Sequence, residues 1–456
     1  MRILLTGATG FVGHHLARRL LLAGHELSVL TRAEGPARRA FPFPARIFSW
    51  DGQSGPPPAQ SLEGVEAVIH LAGEPVAARR WSAAQKRRIL DSRVLGTRHL
   101  RQAVARQPGI KAFVSASAIG FYGDRGGEVL SEDSSAGDGF LAEVCRAWEA
   151  EVFQAGGAES LRTVALRIGI VLGNEGGALA KLLPMFRWGV GGPVGGGQQW
   201  MSWIHIDDLA RAFVEAVSND AWRGPINAVA PHPVSNREFA RTLGHVLHRP
   251  ALLPAPGWGL KAAMGELSSI VLGSQRVQAR RLEELGFRFE YGELSPALRE
   301  LCPPGCDLFA ADQWVDRPVD EVFRFFADAR NLETITPPWM GFTVAAMSTP
   351  QIQQGTLIDY RLKVHGLPMK WRTLIEDWEP NRRFVDNQLR GPYSRWHHTH
   401  SFLPMSGGTL MRDRVHYRLP LGMLGRAAAH WKVRRDIEAI FSFRKQKIEV
   451  LFPAKS

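Results

Sequence analysis

The chain has 456 residues, of which 45 % are hydrophobic and 22 % charged, and its formal net charge is +12. This length exceeds one ordinary hydrophobic core, so two or more domains are expected, and the composition excludes disordered, collagen-like and low-complexity classes. The basic residues are spread along the chain, in pairs such as Arg18 and Arg19 or Arg87 and Arg88, which describes a solvated basic surface and argues against a nucleic-acid partner.

The elements begin at once. Short runs rich in Val, Ile and Leu alternate with segments of helical periodicity from Ile3 to about Leu172, the pattern of a parallel sheet with crossover helices. Strands are expected at Ile3 to Thr6, Leu27 to Thr31, Ala67 to Leu71, Ala112 to Ser115 and Thr163 to Arg167. Between the first strand and the first helix stands Thr6-Gly7-Ala8-Thr9-Gly10-Phe11-Val12-Gly13. In such a context Gly7 turns the chain out of the strand, Gly10 lets backbone approach a pyrophosphate, and Gly13 lets helix and sheet pack closely. The N–H groups at the positive end of the helix then meet the phosphates. An NAD-preferring protein carries an acid at the end of the second strand, about twenty residues beyond the glycines. This chain has Thr31-Arg32 there, and a guanidinium matches a 2′-phosphate, so the expected cofactor is NADP(H).

Glycines punctuate Gly173 to Gln199, so loops are expected to carry much of that stretch. The cluster Cys302-Pro303-Pro304-Gly305-Cys306 reads as a linker between a domain at 1–301 and a domain at 307–456. With Cys145, its two thiols make three cysteines, too few for a disulfide framework, and both read as free thiols in a connector. Beyond the linker a helix is expected at Pro318 to Asp328, strands around Thr356 to His365, Lys370 to Trp378, Arg395 to Phe402 and Thr409 to Arg418, and a last helix at Arg426 to Leu451. This is an α+β domain with an antiparallel sheet. No apolar stretch is long enough to span a bilayer, and the opening residues leave no room for a leader before the glycine loop, so a cytoplasmic protein is expected.

The glycine loop, Leu71-Ala72-Gly73 and Trp203-Ile204-His205-Ile206-Asp207-Asp208-Leu209-Ala210 together resemble the extended short-chain dehydrogenases, the family of nucleotide-sugar epimerases and dehydratases. Gly73-Glu74-Pro75, Arg80-Trp81, Asp91-Ser92-Arg93, Arg167 through Gly173 and Gly191-Gly192-Pro193 resemble an atypical subgroup, labelled nucleoside-diphosphate-sugar epimerase or cell-division inhibitor. The resemblance covers Met1 to about Leu301. It implies a Rossmann fold in which Leu71, Ala72, Gly73 and Ser115 line the cofactor, and it puts Arg93 where the family carries an Asn, within reach of the cofactor phosphates. Downstream, Gly391-Pro392-Tyr393, Trp396-His397-His398-Thr399-His400, Asp413-Arg414-Val415 and Leu419-Pro420-Leu421-Gly422 resemble a START-like branch related to polyketide cyclases. That resemblance covers roughly Asp307 to Phe452 and implies a curved sheet around a long helix, enclosing an apolar cavity for a hydrophobic ligand. Alternation puts Trp396, His398, His400 and Phe402 on one face as pocket candidates and His397 on the other, which leaves two metal ligands without a third, so no metal is expected.

Short-chain dehydrogenases draw their acid–base chemistry from a Tyr and a Lys four residues later. The resemblance puts Leu141 and Cys145 in those places, which leaves Ser117 as hydroxyl donor, Tyr122 as the nearby phenol and a Cys145 thiolate as candidate catalytic groups. Three functions stay open at this point: an NADP(H)-dependent reductase or isomerase acting on a small molecule, a regulatory protein controlled by cofactor occupancy, and a carrier for a hydrophobic small molecule.

Overall fold

The computed structural model describes residues 1–154 and 161–453, and the chain divides into two compact units, Met1–Pro304 and Gly305–Ser456. The first is built on a seven-stranded sheet, parallel throughout. Numbered in chain order, its strands are Arg2–Thr6, Glu26–Thr31, Arg46–Ser49, Ala67–His70, Ala112–Ala118, Arg162–Ile168 and Gly224–Ala228, and they lie side by side as 3-2-1-4-5-6-7. The central strands are apolar and covered on both faces, as parallel sheets require: Ile3, Leu4, Leu5, Val68, Ile69, Phe113, Val114 and Val164 are fully buried.

The five expected strands are present, most extended by a residue or two. The two that sequence patterning missed, Arg46–Ser49 and Gly224–Ala228, are the sheet edges. The second opens with Gly-Pro, a pair that strand propensity disfavours and an edge accommodates, since Pro225 has no N–H to place in a ladder. In the glycine-rich stretch, Gly177–Arg187 is a helix rather than a loop, because Leu179, Leu183 and Phe186 recur at helical spacing and bury against the core.

The Trp203–Ala210 motif proves to be a clasp. His205 caps the helix Ile206–Ser218 by accepting the Asp207 N–H at 3.2 Å, and its ring stacks on Tyr291 with centroids 3.8 Å apart. Buried Asp208 accepts the amides of Glu290 and Tyr291, both at 2.9 Å, and Asp207 faces His15 and Arg18 on the helix Phe11–Leu22. Cys302 and Cys306 are free thiols, as expected, and both are buried, Cys302 at the end of the helix Leu294–Leu301 within this unit's core and Cys306 at 1 % exposure.

The second unit is a seven-stranded antiparallel sheet with the START-like layout. Asp307–Val315 pairs with Gly408–Arg418, and Arg395–Met405, Arg383–Arg390, Leu367–Glu379, Leu357–Val364 and Thr343–Met347 follow in turn across the sheet. A helix at Val319–Phe326 and the long helix Gly422–Leu451 cover one face, the latter burying Ile437, Phe441 and Ile448. The segments missed by alternation are Asp307–Val315 and Arg383–Arg390, whose polar residues interrupt the period-two pattern, and Thr343–Met347, a five-residue strand at the sheet edge with a run of apolar residues in place of alternation.

The helix after the glycine loop packs tightly at Gly13, where a Cβ would stand 2.2 Å from the Gly7 carbonyl oxygen. Gly13→Ala is therefore expected to destabilise the fold by about 1–3 kcal/mol, whereas Gly196→Ala, at a glycine with open space around it, should stay within about 0.5 kcal/mol. Chemical denaturation of both variants checks this; equal stabilities would contradict the packing.

Candidate functional site

The glycine loop leaves the first strand at Gly7, whose φ of +71° is open to glycine at little cost. A Cβ there would press on Leu71 and Ala72 at 3.0 Å, so the loop lies against the turn after the fourth strand. Thr6 joins the two: its hydroxyl contacts His70 Nδ1 at 2.7 Å and accepts the Leu71 and Ala72 amides, each at 3.1 Å. His70 is fully buried and desolvation pulls its pKa down to about 4, so its ring is neutral. No side chain caps the helix that starts at Phe11, and no acid occupies its first turn. Thr9 and Gly10 are exposed and Phe11 and Val12 partly so, leaving the helix entrance open. The expected cofactor residues Gly7, Thr9, Gly10, Phe11, Val12, Gly13, Leu71, Ala72 and Gly73 thus converge at one end of the sheet.

Arg32 is exposed just beyond Thr31, at the end of the neighbouring strand. The nearby Glu34 carboxylate is taken by Arg38, one turn on, at 2.6 Å. Arg93 has a different setting from the one expected. Its Nη1 donates to the carbonyls of Glu74 at 3.0 Å and Ile89 at 3.1 Å, and its guanidinium lies over Trp148 at 5.1 Å and against Gly73. Two backbone oxygens thus take Nη1 of the group that the resemblance put within reach of the cofactor phosphates.

The candidate catalytic hydroxyls are also bound inside the unit. Ser117 is 2 % exposed and donates to Glu149 Oε1 at 2.6 Å; Tyr122 is fully buried and donates to Asn227 Oδ1 at 2.7 Å. Between them Arg167 makes a two-pronged ion pair with Glu149, 2.9 Å to Oε1 and 2.8 Å to Oε2, donates to the Tyr122 oxygen at 2.9 Å, and lies 3.6 Å from the Phe121 ring centroid. Ser115 is buried as well, its hydroxyl bonded to the Ala116 carbonyl at 2.9 Å. Burial raises the Tyr122 pKa, with Arg167 and Asn227 opposing it. Leu141 and Cys145 sit one turn apart on the helix Phe140–Val152, both facing Gly120, and burial pushes the Cys145 thiol up to about 12. The thiolate considered from sequence is therefore corrected: its charged form has no water to solvate it. Arg167 and Glu149 were missed as a pair; their signal was a charge placed among apolar positions of a strand and of a helix.

Beside the start of this helix a cavity of about 430 Å³ is lined by Lys86, Arg87, Leu90, Phe140, Glu143 and Glu266. Trp81 meets Phe140 edge-on at 5.0 Å.

In the second unit, partly buried Trp396 packs with Trp371, Tyr393 and Tyr417, and Phe402 is 1 % exposed in the core among Phe323, Phe326 and Phe384. His398 and His400 form a polar hub between them. Each ring faces Asp386 from the neighbouring strand on one side and Asp413 on the other, and burial is outweighed by these charges, so the His398 pKa is raised and both carboxylates titrate below their usual range. His397 points the other way, toward Glu376 at 3.8 Å. Two strands supply what one did not: Asp386 is the third possible metal ligand whose absence the alternation of a single strand implied.

The first unit thus has the doubly wound parallel sheet, glycine loop and uncapped helix of a dinucleotide-binding fold, and comparison with known proteins agrees. Residues 3–228 match the NAD dependent epimerase/dehydratase family, 255–301 a domain of unknown function (DUF1731), and 315–441 the polyketide cyclase / dehydrase and lipid transport family. The chloroplastic epimerase family protein SDR39U1 homolog of Arabidopsis thaliana is 41 % identical over 307 residues, 66 % of this chain and 86 % of the relative. Human SDR39U1 isoform 2, whose structure was solved with NADPH, is 35 % identical with a TM-score of 0.59, covering 66 % of this chain and 99 % of the human one. A nucleoside-diphosphate sugar epimerase from Corynebacterium glutamicum is 36 % identical with a TM-score of 0.54, covering 66 % of this chain and 58 % of its own. The chain belongs to the SDR39U1 epimerase family, with a polyketide cyclase-like unit joined at its C-terminal end.

Two measurements test the site. Cys145, Cys302 and Cys306 are all buried, so the native protein at pH 8 should leave all three thiols unreacted with a disulfide reagent and release them on denaturation; rapid reaction of Cys145 would contradict its raised pKa. Arg167→Met strands Glu149 and should destabilise the protein by roughly 3–5 kcal/mol in denaturant titration.

Proposed function

We propose that the first unit is an NADP(H)-binding, epimerase-like module that holds its cofactor without the Tyr–Lys acid–base pair of the short-chain dehydrogenases, and that it acts through cofactor occupancy rather than as a nucleotide-sugar epimerase. The observation that carries this reading is the contrast within one unit. The glycine loop and helix entrance are open, while the hydroxyls of Ser117 and Tyr122 are both engaged in the buried Arg167–Glu149 network. When bound, the dinucleotide supplies hydride chemistry. This chain's residues would do the rest: Gly7, Thr9, Gly10, Phe11, Val12 and Gly13 cradle the pyrophosphate, Leu71, Ala72 and Gly73 line its far side, and Arg32 meets the 2′-phosphate. The NADPH bound to the human relative supports the cofactor.

A 4-epimerase must take up and return a hydroxyl proton at both faces of a ketone. Leu141 has no proton to exchange, and a thiol with a pKa near 12 stays protonated at neutral pH. The second unit is read as a module for a hydrophobic small molecule, which its match to a lipid-transport family supports.

NADPH is expected to bind about 10- to 100-fold more tightly than NADH, the worth of a charge-assisted contact, and Arg32→Asp should reverse the order. Calorimetry with both cofactors decides this; equal affinities in the unaltered protein would reject the role of Arg32. Epimerisation of UDP-glucose should run about 10²- to 10⁴-fold below the rate of an enzyme with its acid–base pair intact. Robust turnover, followed by separating the two sugars, would overturn the occupancy reading.

A further inference from the structure

From the hub of the second unit we infer a site for one divalent transition-metal ion, held by Asp386 Oδ2, His398 Nδ1 and His400 Nε2. These three atoms lie within 4.8 Å of one another, with the carboxylate oxygen 3.3 Å from His398 Nδ1 and 3.0 Å from His400 Nε2. An ion about 2.0–2.2 Å from each fits such a triangle after small side-chain shifts.

The far side of both rings supports the assignment. His398 Nε2 hydrogen-bonds Asp413 Oδ1 at 2.9 Å. His400 Nδ1 stands 2.8 Å from the same oxygen, though out of line for a hydrogen bond. A histidine that ligates a metal through one nitrogen has its other N–H held by a carboxylate, which fixes the tautomer and aims the lone pair. Here Asp413 holds the His398 ring in this way and stands beside the His400 ring, with Arg444 Nη1 3.5 Å away as its counter-charge.

Charge points the same way. With no ion, four ring nitrogens face carboxylates, and satisfying all four contacts requires two imidazolium ions whose centroids are 3.7 Å apart, in a buried place beside Arg444. One neutral tautomer per ring instead sets a lone pair against a carboxylate. A divalent ion in place of two ring protons keeps the same net charge, leaves each ring an N–H toward Asp413, and removes the contact between like charges. Two imidazoles and a carboxylate suit zinc, cobalt or iron rather than magnesium or calcium, which prefer all-oxygen shells. Phe384 stacks on His400 at 4.2 Å and Phe441 meets His398 at 5.6 Å, giving the site an apolar wall, while the Asp386 side chain, 19 % exposed, marks an entry.

The test uses the full chain, stripped with a chelator and titrated with cobalt(II) and zinc. One equivalent of cobalt is expected to give visible d–d absorption that zinc abolishes, with a rise in thermal stability. Asp386→Asn and His400→Gln should each lose the absorption while keeping their circular dichroism, and Asp413→Asn should weaken binding about 10- to 100-fold. No absorption in the unaltered protein, or absorption unchanged in Asp386→Asn and His400→Gln, would overturn the site and leave the hub as a closed ring of ion pairs.

Discussion

The pairing of Arg167 with Glu149 organises the centre of the first unit. A strand and a helix each bring one charge inside, where neither is tolerable alone and where both are satisfied only by a fork-to-carboxylate fit. Around that fit the Ser117 and Tyr122 hydroxyls, Asn227 and the ring of Phe121 take fixed positions. The pair therefore does two things at once. It locks the fifth, sixth and seventh strands to the helix Phe140–Val152, and it engages the Ser117 and Tyr122 hydroxyls in the same buried network.

The glycine loop and the buried charge pair rest on different parts of the chain. Binding of a dinucleotide rests on backbone: an open helix end, a positive φ at Gly7 and close packing at Gly13. Proton exchange rests on side chains with a suitable pKa and access to water, and Leu141, buried Cys145 and the bound Tyr122 lack one or the other. Arg93 is held by backbone as well, with Nη1 bonded to two carbonyls and the guanidinium over Trp148.

Both units place charge inside through paired elements. In the first, the result is neutralised by geometry between two residues. In the second, His398 and His400 come from one strand and Asp386 and Asp413 from its two neighbours, so that four groups meet only when three strands are in register. His398 stands directly across from Asp386 in one ladder, and His400 directly across from Asp413 in the other.

The amino-acid sequence by itself determined the parallel sheet, the glycine loop, the choice of Arg32 over an acid, and the antiparallel sheet with its long helix, because periodicity, glycine spacing and apolar runs are local properties that adjacent residues express without help. Edge strands such as Gly224–Ala228 escaped it, since an edge is defined by the neighbour it lacks. The helix Gly177–Arg187 hid behind glycines for a similar reason: burial of Leu179, Leu183 and Phe186 outweighed the local signal. Only the tertiary structure decided that Ser117 and Tyr122 face Arg167 and Glu149 instead of a cleft, and that Asp386 completes a triangle with His398 and His400. Those outcomes depend on distances between residues far apart in the chain, and electrostatic pairing in a low-dielectric interior acts on such distances and on nothing the sequence displays in order.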